Sequence, residues 1–344
     1  MIKAGVIGAT GYAGIELCRI LINHPKVVLS GVGSVSFEGK KISEVYPALS
    51  GICDLVCQST NEVIENSEVV FACVMHGLSQ DLAKKCADKG VVFIDLGADF
   101  RLDSVDDYKE WYDSDFKHLD LHERAVYGLP ELYRDDIKNS KIIANPGCYP
   151  TSIALGLFPA LNSGLVSAEG IVIDSKSGAS GAGRGLSETT HYPNCNEAFA
   201  PYKIAAHRHT PEIEQTLSKI SKKDVTVLFV PHLLPINRGI ISTMYAKLEQ
   251  NVSKQDVRKA FENAYKNEKF VRVLKDGSVA NLRDVKHSNF CDISLHIDDR
   301  TNTLVVVSAI DNMVKGASGQ AVQNMNIIFD LPEDMGLCFI PTTF

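Results

Sequence analysis

The sequence has no C-x-x-C pair, although it holds nine cysteines, at positions 18, 53, 57, 73, 86, 148, 195, 291 and 338. An odd, scattered set excludes a disulfide framework and a structural zinc site, so no metal is expected and free thiols in a reducing, cytoplasmic setting are. No apolar run reaches the length that spans a membrane. The Met1 end lacks a basic region followed by an apolar core, and export is not expected. A net charge of -7 and a pI near 5.8 give no electrostatic case for nucleic acid or an anionic membrane as partner. An anionic substrate must therefore be met by a local basic site. Low-complexity segments and internal repeats are also absent, which leaves an ordinary globular chain acting on a small molecule.

The 344 residues exceed one hydrophobic core, so two domains, interleaved or sequential, are expected. Short apolar runs in "IKAGVIGAT", "KVVLSGVGS", "EVVFACVM", "VVFIDLG" and "KIIANP" alternate with helical spacing in "AGIELCRILINHP" and "SQDLAKKCADKG". That alternation predicts an α/β, doubly wound parallel sheet of the Rossmann type through about residue 147. Beyond it, "VTVLFVPHLLPINRGIISTMYAKLE" reads as two long strands about a loop, with His232 and Arg238 given no chemistry. "SKQDVRKAFENAYKNE" reads as a capped helix and "CDISLHIDDRTNTLVVVSAI" as a hairpin turning at Asp299-Arg300. These predict an α+β second domain over 148–311. The last helix, with Ala321, Val322, Met325 and Ile328 on one face, is expected to return within 312–344 to the first domain, 1–147.

After the first strand comes "GATGYAG", with Gly8, Gly11 and Gly14 at the mouth of a helix. Glycines let backbone amides approach a diphosphate, and the helix N-terminus adds a favourable partial charge. Gly8, Thr10, Gly11, Tyr12 and Ala13 are the candidate cradle, with a tight structural turn as the alternative. Gly33 and Ser34 stand where an NAD enzyme commonly places an acid for the ribose hydroxyl. Ser34, Ser36, Lys40 and Lys41 are suited to a 2′-phosphate, so NADP (NADPH) is the preferred cofactor, a solvated loop being the other reading.

In "KIIANPGCYPTSIALGLFPAL" a strand runs through Asn145-Pro146-Gly147 into Cys148 and then a helix, with Pro150 in its first turn. A thiol just ahead of a helix N-terminus meets a field that favours thiolate, beside amides able to hold an oxyanion. Cys18, Cys73 and Cys86 lie in apolar periodic segments and read as small core residues.

With "DLGADFRL", "VYGLPEL", "NPGCYPTS", "SGASGAGR", "HRHTPEIEQ", "PHLLPINRG" and "DNMVKGASGQAVQNMN" in order along the whole chain, the sequence resembles the N-acetyl-gamma-glutamyl-phosphate reductase family of arginine biosynthesis, related to aspartate-semialdehyde dehydrogenase. Met75 stands where that family often has proline, and Val35 where it often has arginine. The resemblance implies an NADPH-dependent reduction of an acyl phosphate to an aldehyde through a cysteine thioester, in a homodimer or homotetramer. Cys148 matches the nucleophile. His207 and His209 are the acid/base candidates; spacing does not choose between them, and motif position favours His209. Arg101, Arg184 and Arg208 are implied for the substrate's anionic groups. Ser177 and Gly178, with Asn312 and Gly316, are implied near the nicotinamide. Related substrates, aspartyl phosphate or an N-blocked aminoadipyl phosphate, would use the same chemistry. A silent dinucleotide-binding regulator and a direct-hydride alcohol dehydrogenase are the readings from other classes, and both leave the cysteine corner idle.

Overall fold

The computed structural model describes residues 1–342. The expected returning segment 312–344 thus ends in Thr343 and Phe344, which lie outside the described residues. Chain contacts divide the protein into two units: Met1–Pro146 with Ala317–Cys338, and Gly147–Gly316 with a short tail from Phe339. The chain rejoins the first unit at Ala317 rather than at 312, so Asn312 and Gly316 belong to the second.

The first unit is built on a wholly parallel seven-stranded sheet. Its strands are β1 (Ile2–Ile7), β2 (Val27–Gly33), β3 (Cys57–Gln58), β4 (Val69–Ala72), β5 (Val92–Asp95), β6 (Val126–Tyr127) and β7 (Ile142–Ala144), in the order β3-β2-β1-β4-β5-β7-β6. β4, β5 and β7 are buried at every position. Unbroken apolar runs of this kind, in place of alternation, are what a parallel sheet covered on both faces demands. The helix Ser79–Lys89 stops on Gly90 at φ 70, as a left-handed cap requires. β3 and β6 have two residues each, too few to carry a periodic signal, and the sequence did not reveal them.

The returning helix, Gly319–Ile328, is unusually polar for a buried element, and each amide has a task within the first unit. Gln320 Nε2 and Asn324 Nδ2 donate to the carbonyl of Gly128 at 3.1 and 2.9 Å, and Asn324 Nδ2 also reaches Asn145 Oδ1 at 3.1 Å. Asn326 Oδ1 lies 3.0 Å from His24 Nε2 at the end of the glycine-loop helix. Buried polar groups are tolerated when paired in this way. Among them, Asn324 fixes Asn145, just ahead of the cysteine corner.

The second unit holds a mixed seven-stranded sheet of order β12-β13-β14-β11-β8-β10-β9. These are β8 (Ile171–Gly178), β9 (Ala200–Pro201), β10 (Val227–Leu234), β11 (Ile240–Lys247), β12 (Val271–Val273), β13 (Cys291–Asp298) and β14 (Thr303–Ile310). The two long strands β10 and β11 are not neighbours, because β8 lies between them, parallel to β10 and antiparallel to β11. β13 and β14 form the expected hairpin, closing with Asp298 opposite Thr303. The helix Lys254–Tyr265 starts on a full capping box between Ser253 and Asp256.

At the end of β5, Asp95 and Asp99 are both fully buried. Asp99 accepts from the amides of Gly77 and Ser79 and the hydroxyls of Ser79 and Tyr108, a donor set that suits a carboxylate. Burial, and then the charge of Asp99, push the Asp95 carboxyl up to about 7. A folded-state value above the ordinary 3.8 means that the folded protein holds this proton more tightly than the unfolded chain. Its stabilisation is full below about pH 4 and is lost as pH rises through about 7. Asp95→Asn, which keeps an acceptor for the amide of Gly97, is therefore expected to raise the melting temperature at pH 8 by a few degrees, about 2–8 °C, with little change at pH 5. Parallel melting-temperature profiles of variant and wild type between these pH values would refute the assignment.

Candidate active site

In the first unit the glycine loop is shaped by crowding. Gly8 has φ +80, and a Cβ there would sit 2.2 Å from the carbonyl oxygen of Cys73; one on Gly14 would sit 2.2 Å from that of Gly8. No other residue type fits either position. The helix Tyr12–Ile22 begins on Gly11, which has no side chain to cap it. The first-turn amides, those of Tyr12 and Ala13 included, have no acceptor within the helix. Thr10 Oγ1 lies 2.8 Å from Ser34 Oγ, and Tyr46 donates to the carbonyl of Thr10 at 2.9 Å, so loop and β2 end are tied together. Ser36, Lys40 and Lys41 are exposed just beyond. The residues present fit a dinucleotide: a bare helix terminus, room for a diphosphate against glycine, and a strand end without an acid.

In the second unit Cys148 is the first residue of the helix Cys148–Asn162, one position further in than the sequence suggested, with Gly147 as the cap. The amide of Gly147 donates to Oε1 of Glu212 at 2.8 Å, and Glu212 is fully buried. Glu212 belongs to the helix Thr210–Ser221, whose cap is His209 itself. One bond therefore joins the starts of the cysteine and histidine helices. The approach to that second helix is not extended: 207–210 is a turn, closed by the amide of Thr210 on the carbonyl of His207.

That turn distinguishes the two histidines. The amide of His209 donates to Nδ1 of His207 at 3.1 Å, which places the His207 proton on Nε2. Burial, then the charges of His209, Lys203 and Arg208, push His207 down to about 2, which favours the neutral ring. The rings of His207 and His209 have centroids 4.9 Å apart, and Tyr149, next to the cysteine, lies 5.5 and 6.0 Å from them. Tyr149 and Tyr202 hydroxyls are 3.1 Å apart; burial pushes Tyr202 up to about 12, and the Cys148 charge adds to the rise. Cys148, Tyr149, Tyr202, His207 and His209 thus form one cluster.

One loop passes against the cysteine, and two more are clasped to each other within the same unit. A Cβ on Gly316 would lie 2.8 Å from that of Cys148, so the chain passes directly against the thiol-bearing residue. Gly178 is equally crowded by the backbone of Asn237 at 2.7 Å. Asn312 clasps two loops, accepting from the amide of Gly239 at 2.7 Å and donating to Ser180 Oγ at 3.0 Å, while Ser177 Oγ donates to the carbonyl of Gly178. Arg208 is half-buried beside His207, and Arg184 is exposed after Gly183. Arg101, in the first unit, is buried, and its Nε and Nη2 donate to the carbonyls of Asn145 and Leu96 at 2.9 and 3.0 Å. Glu212 and Tyr202 were not anticipated. Glu212 reads locally as an acid three residues into a helix, and nothing nearby in sequence announces its bond to Gly147.

A glycine-loop parallel sheet and a cysteine-headed helix on a mixed sheet define a dinucleotide-linked dehydrogenase of the semialdehyde dehydrogenase class. Residues 3–140 match the semialdehyde dehydrogenase NAD binding domain, and 148–312 the semialdehyde dehydrogenase dimerisation domain. Aspartate semialdehyde dehydrogenase II of Vibrio cholerae superposes over 96% of this chain and 98% of its own, with TM-score 0.74 and 18% identity, a likeness of fold. N-acetyl-gamma-glutamyl-phosphate reductases of Brachyspira hyodysenteriae and Clostridium botulinum are 58% and 51% identical, across the full length of both chains. The chain belongs to the N-acetyl-gamma-glutamyl-phosphate reductase family.

Proposed function

We propose that the protein reduces N-acetyl-gamma-glutamyl phosphate to N-acetylglutamate semialdehyde and phosphate, as a step of arginine biosynthesis, through a thioester on Cys148. The observation that carries this reading is Cys148 at the head of a helix without a side-chain cap, beside His207 and His209. The helix field favours negative charge at its first residue. The Cys148 thiolate attacks the acyl carbon, the carbon–oxygen bond to phosphate breaks, and phosphate leaves with the electron pair. First-turn amides of the cysteine helix are placed to hold the oxyanion of the adduct. A bound reduced nicotinamide supplies the hydride that takes the thioester to the aldehyde level. His209 gives a proton to the adduct oxygen and takes it back as the Cys148 thiolate departs. His207, neutral with its proton on Nε2, serves as a hydrogen-bond donor and not as an acid. Arg101, Arg184 and Arg208 are the proposed partners of the substrate's phosphate and carboxylate.

NADP is the proposed cofactor, held by Gly8, Thr10, Gly11, Tyr12 and Ala13 at the diphosphate. Support for the 2′-phosphate comes from Ser34 at the end of β2 where an acid would repel it, with exposed Ser36 and Lys40 following. We further propose a cytoplasmic homodimer or homotetramer. Among the described residues no helix is long and apolar enough to cross a membrane. The second sheet covers one face with the cysteine helix, while the other carries Val172, Leu228, Ile241 and Tyr245 half-buried or exposed. Leu228→Asp should lower the mass measured by sedimentation; an unchanged mass would remove this face from the interface.

The reverse reaction, with N-acetylglutamate semialdehyde, phosphate and oxidised cofactor, tests the assignment by absorbance of the reduced nicotinamide. The expected kcat/KM is higher with NADP than with NAD. Cys148→Ser should retain cofactor binding while kcat falls at least about 1,000-fold, and turnover near that of wild type would dismiss the covalent step. His209→Asn is expected to lower kcat about 100-fold or more and to remove a near-neutral ionisation from the pH–rate profile. His207→Asn should leave that ionisation in place; if instead it vanishes only in the His207 variant, the two roles are exchanged.

A further inference from the structure

Four serines in the second unit, Ser152, Ser175, Ser242 and Ser308, are completely buried, together with Cys291. Three of them lie side by side across the centre of the sheet. Ser175 on β8 is the register partner of Ser242 on β11, which in turn faces Ser308 on β14. Ser175 and Ser242 hydroxyls are 2.8 Å apart, and Cys291 Sγ reaches Ser308 Oγ at 3.4 Å. Into this row the cysteine helix inserts Ser152, with its Oγ 2.9 Å from Ser242 and 3.3 Å from Ser308.

Ser152 is four residues after Cys148, one helical turn along the same face, and Gly156 is one turn further. A Cβ on Gly156 would lie 2.3 Å from Met244 Cε, so this face rests directly on the sheet. The rest of the helix is apolar and buried on nearly every side. Apolar packing is non-directional and fixes sliding or rotation of such a helix only weakly. Hydroxyl hydrogen bonds are directional, and buried hydroxyls are costly unless paired.

We propose that Ser152, held by the Ser175–Ser242–Ser308 row, is a positioning residue that sets the axial register of the cysteine helix and so aligns Cys148 with His209. Ser152 acts through the helix and touches no reacting group. A misplacement near 1 Å costs on the order of 100-fold in rate, so the row has leverage on turnover without lying at the thiol. The field of the helix N-terminus travels with Cys148 when the helix shifts, and the thiol keeps its own reactivity.

This role rests on the acyl-phosphate reductase reading, and the experiment separates the two. Steady-state kinetics of the reverse reaction and the rate of Cys148 alkylation by iodoacetamide are measured for wild type, Ser152→Ala, Ser242→Ala and the double variant. Absence of turnover in wild type would fail the reading of function. Given wild-type turnover, Ser152→Ala is expected to lower kcat about 10-fold or more, with KM and the alkylation rate each within about twofold of wild type. The double variant should be little worse than either single one, because the hydroxyls act as a unit. Turnover within twofold of wild type in both single variants would overturn the proposal, as would a loss of kcat matched by an equal loss of alkylation rate, or strictly additive effects. Should Ser152→Ala fail to fold, Ser175→Ala, at the far end of the row, is the substitute: a loss of kcat at unchanged KM supports the proposal and full turnover overturns it.

Discussion

The amide of Gly147, bonded to the buried side chain of Glu212, joins two helix starts that lie far apart in sequence. An amide at the head of a helix has no partner within it and must find one elsewhere. Because the partner comes from the third residue of the histidine helix, Cys148 and His209 are carried by elements that share an anchor. The turn over 207–210 then distinguishes the two rings, since the His209 amide bonds to Nδ1 of His207 and fixes its neutral tautomer. Residue type and spacing alone would not bring these two helix starts together.

Backbone crowding is the second constraint, and it recurs in both units. Gly8 and Gly14 leave no room for side chains where a diphosphate would meet the amides of the glycine loop. Gly316 does the same against the cysteine, and Gly178 against the backbone of Asn237. Glycine in these places is a requirement of close approach, not of flexibility. Asn312 adds a polar clasp between the Gly239 and Ser180 loops through both atoms of its short side-chain amide. In the first unit the side-chain amide of Asn324, on the returning helix, holds Asn145 in the same manner.

Much of this was legible along the chain. The alternation of short apolar runs with helical segments announced a parallel sheet, the capping signal before "KQDVRKAFENAY" announced its helix, and Cys148 was distinguished from the other cysteines by its strand-turn-helix setting. Readings that failed did so where local signals are silent. β3 and β6 are too short for periodicity, and the adjacency of β10 and β11 in sequence gave no hint that β8 separates them. Nor does any spacing rule contain the bonds from Arg101 Nε and Nη2 to the carbonyls of Asn145 and Leu96.

The sequence by itself determined the glycine loop, the cysteine corner, the pair of histidines and the family, because each depends on residues close together in the chain or on a pattern spanning its whole length. Only the tertiary structure decided which histidine stays neutral, that Glu212 anchors the cysteine helix, and that Ser152 meets serines from two strands, β11 and β14. The reason is physical: burial, hydrogen-bond partnership and strand register are properties of atoms brought together from distant positions, and a local pattern cannot encode the distance between them.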